Sequence, residues 1–172
     1  MIEVNRISEI RNAYRDYIYQ LSENDNRDTY HLTVVYQNRT CFEQTRNRNK
    51  DYCMSSIFSK FYVCRLLPLI MNTQNFTRVS HRENQPITVV FPEKHKERYT
   101  YHHHAVLSVK KEFSYRLDDL IDKELIDELP FKNIQSIYLT KREPRVINYA
   151  SKSFSEMNDD VLIFNPNQKI TN

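Results

Sequence analysis

The chain has 172 residues, 40% of them hydrophobic, and a formal net charge of +3. That is enough apolar material for the core of one domain, and the charge permits nucleic-acid binding without demanding it. There is no glycine, against an average usage of about 7%, which excludes the glycine-rich phosphate loops of P-loop and dinucleotide-binding proteins.

The most apolar stretch, Ile57 to Ile70, is interrupted by Lys60 and Arg65. It reads as a buried or amphipathic helix and not as a membrane span, which needs about 18 or more apolar residues. The N-terminus, MIEVNRISEI, lacks an apolar signal core. Cys41, Cys53 and Cys64 are odd in number and have no C-x-x-C spacing, as expected of reduced thiols in a cytoplasmic protein.

In chain order, Val4, Ile7, Ile10, Tyr14, Ile18 and Leu21 recur at helical spacing and predict a helix over 3–21. SENDNRD ends it. Thr29 to Gln37, TYHLTVVYQ, is β-branched and aromatic and predicts a central strand. Asn38 to Asp51 carries Arg39, Arg46, Arg48 and Lys50, either a solvated loop or one that contacts phosphates. Tyr52 to Ile70 predicts a second helix, with Pro68 marking a kink or its approaching end. A short strand is expected at Phe76 to Ser80. Ile87 to Phe91 and Tyr99 to Lys110 predict a hairpin turned by PEKHKER, 92–98. A helix over Ser114 to Glu128, a strand over Ile134 to Leu139, a helix over Glu143 to Phe154 with Pro144 in its first turn, and an edge strand at Val161 to Phe164 complete the pattern. This order predicts an α+β fold: an antiparallel central sheet with helices packed mainly on one face, of ferredoxin-like or RNA-recognition type. One domain is expected over 1–172, its core about 29–154, with the first helix and the tail 155–172 peripheral.

Two stretches carry chemistry. His102, His103 and His104 are consecutive in a strand, where alternate side chains share a face. His102 and His104 therefore face one way, as half of a metal site, and His103 faces the other, where it packs or hydrogen-bonds under helices. Tyr149 and Lys152 are three residues apart and share one face of the expected helix. His31 and His81 read as structural. Tyr30, Tyr36 and Tyr138 lie in strands, where they are either core aromatics or platforms for bases of a single strand.

In order and spacing these motifs resemble the HUH endonuclease superfamily of rolling-circle replication initiators, relaxases and single-strand transposases. The apolar strand His31-Leu32-Thr33-Val34-Val35-Tyr36 resembles its first motif. His102-His103-His104-Ala105-Val106-Leu107 resembles the second, two histidines one residue apart on a central strand. Tyr149-Ala150-Ser151-Lys152 resembles the third. The resemblance spans about residues 29–154 and implies a single-tyrosine initiator; the helicase domain of larger initiators is expected to be absent, a departure from their pattern.

It further implies a divalent metal, Mn²⁺ or Mg²⁺, held by His102 and His104. A third ligand would come from the strand paired with theirs: Glu93 is the nearest acid, with Glu83 or no acidic ligand as alternatives and His95 and Glu97 nearer the turn. Tyr149 would be the nucleophile, and Lys152 would offset phosphate charge or help set the metal. The expected substrate is single-stranded or hairpin DNA at a plasmid or phage origin, with host replication machinery as partner and no membrane. A non-catalytic single-strand binder on the same fold, or a phosphodiesterase that uses water, remains open at this point.

Overall fold

The computed structural model describes residues 2–37, 50–75, 78–94, 101–123, 129, 131–141 and 161–166. The expected helix with Tyr149 and Lys152 lies outside the described residues, as do Arg39, Arg46, Arg48, His95 and Glu97.

The fold is α+β, built on a five-stranded antiparallel sheet. In chain order the elements are α1 (Ile2–Ser22), β1 (Arg27–Tyr36), α2 (Lys50–Phe61), a π-helical turn (Tyr62–Leu66), α3 (Leu67–Met71), α4 (Val79–Arg82), β2 (Ile87–Lys94), β3 (Tyr101–Lys110), α5 (Lys111–Asp122), β4 (Ile134–Lys141) and β5 (Leu162–Phe164). The strand order is β4-β1-β3-β2-β5, which puts the histidine strand β3 at the centre.

Alternation along the strands divides the side chains between two cores. Tyr30, Leu32, Val34 and Tyr36 of β1 and Ala105, Leu107 and Val109 of β3 face the larger core, with Phe58, Phe61, Leu66 and Ile70 of the α2–α3 rod and Leu117 of α5. Val89, Phe91 and Val106 face the other way and meet Ile18 of α1. The first helix, expected to be peripheral, thus covers part of the second sheet face, with Ile18 fully buried.

The rod from Lys50 to Met71 follows from its proline. Pro68 has no N–H for a carbonyl four residues back, and its ring crowds the preceding turn. The turn before it widens so that the Leu67 N–H bonds the Tyr62 carbonyl, a π-type bond. The rod ends at Asn72, which adopts the left-handed conformation (φ 51°). Asparagine tolerates this conformation better than most residues, and here, as at Asn133 (φ 75°), it serves where glycine is commonly used.

Two expectations change. The strand foreseen at Phe76 to Ser80 is not formed by Arg78, Val79 and Ser80: local bonds from Arg78 N–H to Asn75 O and from His81 N–H to Arg78 O turn the chain into α4. Phe76 and Thr77 lie outside the described residues. The second change concerns β2, which runs on to Lys94, so Pro92 and Glu93 are strand residues and not part of the turn. Among the described residues, β5 pairs with Thr88, Val89 and Val90. Among the described residues no strand pairs with Pro92 on the side away from β3, the kind of position where a residue without an N–H is tolerated.

Candidate metal centre

The site begins with register. β2 and β3 pair so that Glu93 lies directly opposite His102 and Phe91 opposite His104. Residues paired across antiparallel strands point to the same face, so a carboxylate and two imidazoles converge. Glu93 Oε2 lies 2.9 Å from His102 Nε2 and 2.6 Å from His104 Nε2. One ligand atom from each residue lies within 4.8 Å of the others, and the group could hold a metal ion.

The spacing suits that role. Cis ligands of an octahedral cation with bonds of about 2.1 Å are separated by about 3 Å, close to both observed nitrogen–oxygen separations. Two imidazole nitrogens and one carboxylate oxygen suit a first-row divalent ion such as Mn²⁺, Fe²⁺ or Zn²⁺. The Glu93 side chain is 21% exposed, His102 12% and His104 4%, a gradient that opens the centre toward solvent on the carboxylate side. Among the alternatives, Glu83 follows α4 and does not belong to the cluster.

β1 supplies the next layer. Thr33 pairs with His104, and its Oγ1 lies 3.1 Å from His104 Nδ1. His31, two residues earlier on the same face, stacks on His104 with ring centroids 5.3 Å apart and planes 13° from parallel. Burial, reinforced by His104, lowers the His31 pKa to about 4, and its buried Nε2 has no hydrogen-bond partner among the described residues. His31 thus belongs to the surroundings of the centre. The sequence signal that could have found Thr33 and His31 is their parity in β1, which acquires meaning only once the β1–β3 register is known.

His103 faces the larger core, as its position in the strand predicts. It is buried, and its Nδ1 is 2.6 Å from the Tyr36 hydroxyl. Tyr36 and Phe58 lie against its ring at centroid distances of 5.3 and 5.4 Å. Burial above all, then the neighbouring His102 and His104, lowers its pKa to about 3, so the ring is neutral at physiological pH.

The three strand tyrosines divide in the same way. Tyr30 and Tyr36 are core residues; the Tyr30 hydroxyl bonds the Ser114 carbonyl and Asp118. Burial, helped by Asp118, raises the Tyr30 pKa above its ordinary value. Tyr138 is 59% exposed and pairs with Thr33, on the cluster's side of the sheet. Lys50 opens α2, and its side chain lies outside the described residues.

An open groove of about 510 Å³ lies on the helical side, lined in part by Cys64, Arg65, Arg116 and Lys123. It shares no residue with the cluster, and Arg116 is committed there to the Leu69 carbonyl. Among the described residues no helix is long and apolar enough to cross a membrane. Compared with known proteins, the chain matches no family model, no curated protein and no solved structure.

Proposed function

We propose that the protein is a metal-dependent DNA nickase and strand transferase of the HUH kind, which starts rolling-circle replication of a plasmid or phage in the cytoplasm. The observation that carries this is the convergence of Glu93, His102 and His104 on two paired strands, with one carboxylate oxygen within hydrogen-bond distance of both Nε2 atoms. The order of motifs around it, with Tyr149 and Lys152 downstream, supplies the rest.

In this reading Glu93, His102 and His104 would hold Mn²⁺ or Mg²⁺, which would supply positive charge to offset and orient the scissile phosphate. Tyr149 Oη attacks phosphorus and the bond to the 3′-oxygen breaks. The tyrosine proton is lost, the 3′-oxygen leaves as a hydroxyl, and the 5′-phosphate becomes a tyrosine ester. Attack by a 3′-hydroxyl on that ester reseals a strand. A free tyrosine is only about 0.1% ionised at neutral pH, so the phosphate must be activated. Lys152, three residues after Tyr149 in the sequence, offsets charge on the phosphate. Arg39, Arg46, Arg48 and Lys50 contact the backbone of single-stranded or hairpin DNA, and the exposed ring of Tyr138 offers a stacking surface for a base. The free 3′-hydroxyl is then available to the host replication machinery.

The test is incubation with single-stranded oligonucleotides from the protein's own replicon and Mn²⁺, followed by a denaturing gel. A protein–DNA adduct that disappears in Tyr149→Phe is expected. Cleavage without an adduct that survives this substitution assigns the attack to water and overturns the proposal. Binding to the cognate site without cleavage overturns it in favour of a non-catalytic binder.

A further inference from the structure

A metal-bound imidazole must offer a lone pair. A neutral ring has one N–H and one lone pair, so coordination through Nε2 requires the proton to sit on Nδ1. The His104 side chain is buried. A buried Nδ1 proton needs a protein acceptor, because a buried donor left unsatisfied destabilises the state that holds it. Thr33 Oγ1 is 3.1 Å from that nitrogen, projecting from the strand position paired with His104. The stacked ring of His31 lies along His104 and restricts its rotation.

We propose that Thr33 is a positioning residue of the metal centre: its hydroxyl accepts the Nδ1 proton of His104 and directs the Nε2 lone pair at the cation. A hydroxyl suits this place because it both donates and accepts. Without metal, the tautomer protonated at Nε2 lets His104 donate to Glu93 Oε2, 2.6 Å away, while Nδ1 accepts from Thr33. When a cation occupies the centre, the proton resides on Nδ1 and Thr33 becomes the acceptor. One side chain thus satisfies both tautomers without moving, which a valine of the same shape cannot do. Second-layer partners of metal-bound histidines are typically worth about 10–100-fold in affinity. The inference rests on the metal-centre assignment and not on the nicking reaction.

The test is a Mn²⁺ titration of the wild type, Thr33→Val and Thr33→Ser, with metal-free thermal unfolding alongside. Valine keeps the β-branch that the strand favours. Thr33→Val is expected to bind Mn²⁺ roughly 10–100-fold more weakly, and Thr33→Ser to stay within about threefold of wild type. Nitrogen NMR of histidine-labelled wild type with Zn²⁺ as a diamagnetic probe is expected to show His104 protonated at Nδ1. Wild-type affinity in a folded Thr33→Val protein, or metal on Nδ1 of His104, overturns the inference while leaving the centre standing. A wild type that binds no Mn²⁺ overturns the centre and the inference together.

Discussion

His103 and its two neighbours are chemically identical side chains on consecutive residues of one strand, and they meet opposite environments. On the helical face, His103 is enclosed by Tyr36 and Phe58, bonded through one nitrogen and held neutral. On the other face, His102 and His104 share a carboxylate oxygen at the partly exposed end of β2. The lesson is that residue type did not assign these roles. Alternation along β3 assigned the faces, and the register of β2 assigned the partner.

Substitutions can break that contrast. The largest stability effect is expected from His103→Ala. It removes a buried ring and strips the Tyr36 hydroxyl of a partner, and should cost about 3 kcal/mol in urea unfolding while leaving Mn²⁺ affinity nearly unchanged. His104→Ala should do the converse: Mn²⁺ binding falls by roughly a hundredfold or more, with a smaller loss of metal-free stability.

Metal itself gives the next effect. Mn²⁺ at about 100 times its dissociation constant should stabilise the wild type by about 2.7 kcal/mol, seen as a raised melting temperature. His104→Ala should show no such shift at the same concentration. Tyr138→Ala sharpens the contrast between the exposed tyrosine and its buried counterparts: fluorescence anisotropy should show single-stranded DNA bound about 1–2 kcal/mol more weakly, with unfolding unchanged. The smallest effect belongs to Lys141, half-exposed beside Asp118 and Asp28. Lys141→Ala should change stability by less than about 1 kcal/mol in the same urea assay, as for other exposed ion pairs.

Much of this architecture is legible in the sequence because it rests on short-range pattern. Helical spacing from Val4 to Leu21 corresponds to α1, and β-branched runs correspond to β1, β2 and β3. Even the three-residue β5 falls within the expected edge strand. The opposed faces of the three histidines follow from period two alone.

What was not legible depends on non-local pairing. Glu93 is the acid nearest the end of its strand in the sequence, but its place directly opposite His102 comes from β2 continuing through Pro92. Thr33 and His31 reach the His104 ring through the β1–β3 register. The site residue beside the cluster with the clearest bond to a ligand ring, Thr33, is a type that sequence inspection has no reason to single out. At Arg78 to Ser80, local turn bonds prevailed over a short apolar pattern, and the basic residues Arg39, Arg46 and Arg48 lie outside the described residues.

The most direct measurement is pulsed electron paramagnetic resonance of one Mn²⁺ bound to the full chain. Nitrogen couplings from two imidazoles are expected, reduced to one in His102→Ala and in His104→Ala and unchanged in His103→Gln. A Mn²⁺ signal without nitrogen coupling, or one indifferent to both ligand substitutions, would contradict that ligand set.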